Sequence, residues 1–235
     1  MKQGKNLTGY PSIDKPWLQY YSDKVINRPL SECTMYEYIY AQNQDNLSRI
    51  AMNYYGSQIT YGEMFGQILR MANVLESGGI HEGDVVTVCM INSPETVCLL
   101  FAINKVGAVA NMMYGGSTPE YLKKYVTDVK SYIVFTLDIF QQKFLSIADE
   151  AKLKKIVVTN LTESMSLRNR MGVRLLKGMK PLPLPRDKRF CSWKQFFGNA
   201  KSNSRTCHDA NAPAIITYTG GTTAYLKVLC SAAKR

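Results

Sequence analysis

Apolar runs of strand length recur along this chain from residue 84 onward, the first four alternating with stretches of helical character and the last following a break in the pattern at 162–210. The runs are DVVTVCMI (84–91), AVANMM (108–113), YIVFTL (132–137), KIVVTN (155–160) and PAIITYT (213–219). They are continuous and rich in β-branched residues, which suits strands buried on both faces. Between them the helix starts use one chemistry. Ser93-Pro94-Glu95 offers a cap oxygen, a proline at the first helical position and an acid near the positive helix end. Thr118-Pro119-Glu120 repeats that start, and a further helix is expected at 138–150. Alternating strands and helices with short connections restrict the fold class to α/β: a mostly parallel sheet flanked by helices on both faces.

The first part of the chain is organised differently. Residues 1–33 read as an extended lead-in, with Pro11, Pro16 and Pro29 breaking any helix. Thr34 and Glu37 form a capping box that opens a helix running to about Leu47. RIAMNYYGSQIT then reads as two short strands turning at Gly56-Ser57. Thr60 and Glu63 form a second capping box. Its helix carries Met64, Ile68, Met71 and Leu75 at helical spacing and stops at Gly78-Gly79. The expected organisation is therefore a lead-in over 1–33 and one domain over 34–235, with a basic, Pro-containing excursion at about 165–190.

Composition closes off several function classes. Hydrophobic residues make up 46% of the 235, enough for a packed core. No run of eighteen apolar residues exists to span a membrane, and the N-terminus lacks the apolar core of a signal peptide. The six cysteines form no C-x-x-C pair and fit neither a zinc site nor a disulfide framework. Cys89 and Cys98 lie in apolar runs and read as core residues. The expected setting is reducing and cytoplasmic. His81 and His208 have no partner at metal spacing and read as surface residues. The tyrosine clusters lack adjacent basic residues, so packing is their expected role. No nucleophile triad, carboxylate pair or catalytic base stands out, so no catalytic or metal-ligating residue is assigned.

The net charge of +11 is concentrated. Arg168, Arg170, Arg174, Lys177, Lys180, Arg186, Lys188 and Arg189 are opposed only by Asp187, which gives this segment +7. No nucleic-acid partner is expected, because the rest of the chain is only mildly basic. The preferred reading of the segment is a solvated surface excursion. The sharper reading is an amphipathic helix, with Leu167, Met171, Leu175 and Met179 on one face, making weak contact with a membrane surface through residues 168–189. Gly172 and Gly178 weaken that helix.

The run PAIITYT delivers a Gly-Thr cluster, YTGGTT, at residues 218–223. Glycines admit left-handed backbone angles and close approach of a ligand. Successive backbone N–H groups can then form an anion-binding nest. Thr219, Thr222 and Thr223 add hydroxyls, and Lys227 adds charge. The Walker pattern is absent, and on these residues alone a plain glycine turn stays open.

The longer context carries a resemblance. I-T-Y-G-E (59–63), G-I-x-x-G-D-V-V (79–86), S-P-E-T (93–96) and K-V-G-A-V-A-N-M (105–112) resemble the opening motifs of the adenylate-forming superfamily, of acyl-CoA synthetase type. That family's phosphate loop reads Y-T-S-G-T-T-G-x-P-K-G, and Tyr218, Thr219, Gly220, Gly221, Thr222 and Thr223 match it with Gly220 in place of Ser. The resemblance implies an ATP-dependent acid–thiol ligase, which forms an acyl-adenylate and then a thioester. It implies ATP, Mg²⁺ and coenzyme A as cofactors and a small carboxylic or fatty acid as substrate. It also implies that Thr219, Gly220, Gly221, Thr222, Thr223 and Lys227 bind the ATP phosphates. Phosphorus transfer depends largely on positioning and charge neutralisation, which a Gly-Thr cradle suits.

After Thr223 the match degrades. Ala224, Leu226 and Val228 replace family Gly, Pro and Gly, although Lys227 keeps the family's Lys position. The expectation is a truncated, inactive portion that lacks the C-terminal domain. A frameshift near Thr223 would account for the tail, since one choice of synonymous codons read one base earlier spells G-L-L-E-G-V-V-L-S-S-K; a natural short homologue or a cloned fragment would also end here. Left open, the strand PAIITYT would present an unpaired edge. The alternative reading is a non-catalytic nucleotide- or partner-binding fragment.

Overall fold

The structure is a computed structural model that describes residues 7–27, 32–178, 180–198, 209–219 and 227–232. The chain divides into two compact units, Met1–Ser31 and Glu32–Arg235. In the first, the lead-in is not extended. Helix α1 (Pro11–Asp14), a 3₁₀ turn (Pro16–Tyr20) and helix α2 (Asp23–Ile26) each make about one turn. Pro11 and Pro16 start helices instead of breaking them, because a first helical residue has no N–H bond to lose. The Asp14 carboxylate accepts from the Thr8 and Gly9 backbone N–H groups at 2.9 Å each, which holds its pKa below the ordinary value.

In the second unit both capping boxes form. Thr34 and Glu37 open α3 (Met35–Asn43), which a 3₁₀ turn extends to Asn46. Strands β1 (Ile50–Tyr54) and β2 (Ser57–Thr60) pair antiparallel. Their turn falls on Tyr55 (φ 48°) and Gly56 (φ 79°), one residue earlier than expected. Two left-handed residues match the twist of a tight hairpin. Thr60 and Glu63 then open α4 (Tyr61–Ser77), whose Met64, Ile68, Met71 and Leu75 are all buried.

The expected alternation follows: β3 (Val85–Cys89), α5 (Pro94–Lys105), β4 (Val109–Met112), α6 (Pro119–Asp128), β5 (Ile133–Leu137), α7 (Gln141–Ile147) and β6 (Lys155–Thr159). Ser93 caps α5 through the Thr96 N–H, whereas Thr118 makes no side-chain cap to the α6 backbone. The basic segment contains most of α8 (Leu167–Lys177) and is followed by a strand that periodicity did not reveal, β7 (Phe190–Ser192). Helix α9 (Trp193–Phe197) comes next, then β8 (Pro213–Thr219) and β9 (Lys227–Ala232).

The main sheet has the order β7-β6-β5-β3-β4-β8-β9. Its first six strands run parallel, and β9 pairs antiparallel to β8. The free edge expected at PAIITYT is thus covered by β9. Alternate residues along each strand feed two cores. Val86, Val88, Ala110, Phe135 and Val157 pack with α3, α4, α5 and Trp193 on one face. Cys89, Val134, Ile156 and Val158 pack with Leu122 and Val126 of α6 and Phe144 and Ile147 of α7 on the other. The crossover rule for parallel strands places helices on both sides in this way. Cys33, Cys89, Cys98 and Cys191 are free thiols. Among the described residues no helix is long and apolar enough to cross a membrane. His81 is exposed, and His208 lies outside the described residues.

Candidate functional site

All six parallel strands present their carboxyl ends on one edge of the sheet, the edge at which open α/β sheets bind ligands. Strand β8 ends there at Thr219. Gly220, Gly221, Thr222 and Thr223 lie outside the described residues. Their neighbours fix the backbone frame: Thr219 pairs with Lys227, Tyr218 with Val228 and Thr217 with Leu229. Residues 220–226 therefore join two hydrogen-bonded antiparallel strands, and two of the sequence-predicted residues, Thr219 and Lys227, stand opposite each other at its base.

Beneath this hairpin lies a polar chain that the sequence reading missed. The Tyr218 hydroxyl donates to Asn111 Oδ1 at 2.8 Å, and Asn111 Nδ2 donates to Thr87 Oγ1 at 3.0 Å. The chain crosses β8, β4 and β3 in turn. Asn111 and Thr87 are wholly buried, where an unsatisfied amide or hydroxyl would be costly. Tyr218 also stacks on Tyr125 of α6, with ring centroids 4.1 Å apart and planes 26° off parallel. Burial raises the Tyr125 pKa, and its hydroxyl has no hydrogen-bond partner among the described residues. The residue that opens YTGGTT is thus held by an oriented hydrogen bond on its hydroxyl and by a ring against its face. The one available sequence signal was an asparagine inside the otherwise apolar run AVANMM.

The segment after β4 is built for close approach as well. Lys143 of α7 donates to the carbonyls of Gly115 at 2.8 Å and Ser117 at 2.9 Å. A Cβ on Gly115 would come within 2.2 Å of the Phe140 ring, so this position requires glycine. One strand further along, Thr136 Oγ1 donates to the Cys89 carbonyl at 3.2 Å. Burial pushes the Cys89 thiol up to about 12, which makes it a core residue and not a nucleophile. Glu95, buried at the start of α5, accepts a hydrogen bond from Ser164, a local partner for an acid placed by helix capping.

Among the described residues no group of three or more His, Cys, Asp or Glu could hold a metal ion. The described residues do not fit an Mg²⁺ site. Two surface clefts, of about 420 and 630 Å³, share Gln67 and Arg70 beside α4 and include no residue of β3, β4 or β8.

A parallel sheet with helices on both faces, whose strand β8 ends at its carboxyl edge just before the Gly-Thr stretch, defines an α/β protein of the class that binds ligands at that edge. The chain belongs to the AMP-binding enzyme family, which matches residues 39–229. Acetyl-coenzyme A synthetase of Shewanella sp. (strain ANA-3) is 41% identical over 81 residues, which are 34% of this chain and 12% of that enzyme. Acetyl-coenzyme A synthetase 1 of Pseudomonas aeruginosa is 38% identical over 81 residues, with the same two shares. The fold is shared with solved enzymes. The anthranilate CoA ligase AuaEII, solved in complex with anthranoyl-AMP, aligns with a TM-score of 0.70 at 16% identity, over 89% of this chain and 36% of that one. The luciferase-like enzyme from the nonluminescent mealworm Zophobas morio aligns with a TM-score of 0.69 at 16% identity, over 88% and 44%. The matched stretch is therefore about an eighth of these curated relatives and about two-fifths of these solved chains.

Proposed function

We propose that the chain forms the front of the large domain of an ATP-dependent acid–thiol ligase. That enzyme would join a small carboxylic or fatty acid to coenzyme A through an acyl-adenylate. In this reading residues 220–223, with Thr219 and Lys227 at the base of the hairpin, cradle the β- and γ-phosphates of ATP. The observation that supports it is the Thr219–Lys227 pairing, which brings the chain on either side of the Gly-Thr segment together at the carboxyl edge of a parallel sheet. Glycine backbone N–H groups and threonine hydroxyls are donors that polyphosphate recruits without further chemistry. Residues 34–235 serve as part of the adenylation domain, with about 165–190 as an excursion from it. The free thiols fit a reducing, cytoplasmic setting.

Two measurements on the 235-residue chain separate binding from chemistry. Titration with ATP, followed by calorimetry, reads the cradle, and Thr222→Ala with Thr223→Ala should weaken it. Acid-dependent exchange of labelled pyrophosphate into ATP reads adenylation. Binding without exchange is expected, because these residues span only about a third of the AuaEII chain. ATP affinity that is unchanged in the double variant would refute the cradle assignment. Exchange above background would refute the expectation of no adenylation.

A further inference from the structure

Helix α8 turns a row of apolar side chains outward. Leu167, Met171 and Leu175 recur every four residues and so share one face. They are 73%, 56% and 81% exposed. The face turned towards the body of the unit carries Asn169, Arg170 and the half-buried Val173, and its polar members are anchored. Asn169 donates to the Tyr55 carbonyl. Arg170 donates to the carbonyls of Thr162 (3.0 Å) and Glu163, with a longer contact to Met165 at 3.5 Å. The 160–165 turn that receives these bonds is itself held by the Ser164–Glu95 contact. Polar pins thus seat the helix with its apolar ridge in solvent. The exposed Arg168 and Arg174 flank that ridge, and no acidic residue occurs between Glu163 and Asp187.

We propose that α8 is a membrane-surface helix whose ridge of Leu167, Met171 and Leu175 enters the interface of an anionic lipid bilayer, with Arg168 and Arg174 meeting headgroup phosphates. Charge selects this occupant. A second copy would set Arg against Arg, whereas an anionic surface attracts both. Shape agrees, since a convex ridge meets a plane without needing a groove. The helix has eleven residues, about 16 Å at the α-helical rise, so it lies on the membrane and does not cross it. The inference is independent of the proposed phosphate cradle.

The test is flotation of the full chain with phosphatidylcholine vesicles, with and without about a third phosphatidylglycerol. Binding is expected only to the anionic vesicles, and it should fall as salt rises from about 0.05 to about 0.5 M. R168Q with R174Q should lower the partition coefficient about 30-fold. M171D with L175D should abolish binding while leaving the melting temperature near that of the parent. L175W places an indole on the ridge, and its emission should shift to shorter wavelength with anionic vesicles, relative to the parent. This conservative variant keeps the test decisive if the aspartate pair fails to fold. Failure of the parent to float, equal flotation with neutral vesicles, or an L175W emission that ignores lipid would overturn the proposal. So would self-association through the ridge without lipid binding.

Discussion

The Tyr218–Asn111–Thr87 chain makes a quantitative claim. Tyr218→Phe removes one hydroxyl and leaves Asn111 Oδ1 without its donor at a position with no solvent exposure. A buried acceptor stripped of its partner costs about 1–3 kcal/mol, so about 2 kcal/mol is expected. Asn111→Ala removes both bonds and strands the wholly buried Thr87 hydroxyl. The Tyr218 hydroxyl, on a side chain that is only partly buried, can recover water, so about 2–4 kcal/mol is expected. Each kcal/mol shifts the melting temperature of a domain this size by about 2–4 °C, so Tyr218→Phe should lower it by about 4–8 °C. In the Asn111→Ala background the Asn111 acceptor is gone, and Tyr218→Phe should cost less than it does in the parent. The double-mutant cycle, read by far-UV circular dichroism during urea and thermal unfolding, should return a coupling of about 1–2 kcal/mol. Additivity within about 0.3–0.5 kcal/mol would refute the inferred hydrogen bond.

Three further outcomes are expected. Arg189 holds the Asp187 carboxyl down to about 2 through bonds of 3.0 and 2.6 Å, with Asp149 on its other side. The pair's stability is therefore present above the ordinary value of 3.8 and lost as pH falls from there through about 2. Asp187→Asn should flatten the fall in melting temperature over that window, and parallel curves for parent and variant would contradict it. Burial pushes Cys89 and Cys98 up to about 12, so iodoacetamide near pH ~8 should spare both in the native chain while reaching the partly buried Cys33, as read by peptide mass spectrometry. Equal labelling of all three would count against the packing described. Gly115→Ala should cost about 1–3 kcal/mol through its clash with Phe140, and trimming that ring to Leu should recover part of the loss in melting temperature. A neutral Gly115→Ala would show that the ring yields freely.

The sequence carried most of the scaffold because its signals there are local. Five β-branched runs became β3, β4, β5, β6 and β8, and Thr34 with Glu37 and Thr60 with Glu63 each closed a capping box. Where tertiary contacts decide, the reading was incomplete. Strand β7 has three residues, too few to show a period, and exists because Cys191 pairs with Val157. Pro11 and Pro16 were read as breakers although proline also starts helices. The period of α8 was legible, but its orientation was not: spacing identifies an apolar face, while the Arg170 contacts decide that this face turns outward. At the candidate site the Gly-Thr stretch announced itself. The amide beneath it did not, because Asn111 and Tyr218 are 107 residues apart and meet only in the finished sheet.

That separation has a kinetic side. Strands β3 and β4 meet across 24 residues, from Thr87 to Asn111, whereas β8 must return across 107 to reach β4. The difference in loop-closure entropy is roughly 1.3 kcal/mol, so β8 should dock after the β3–β4 pair has formed. Interactions made after the transition state govern how fast a protein opens, not how fast it forms. Loss of the Tyr218 hydroxyl should then appear mainly as faster unfolding. The contact of β8 with β4 would be late to form and early to let go.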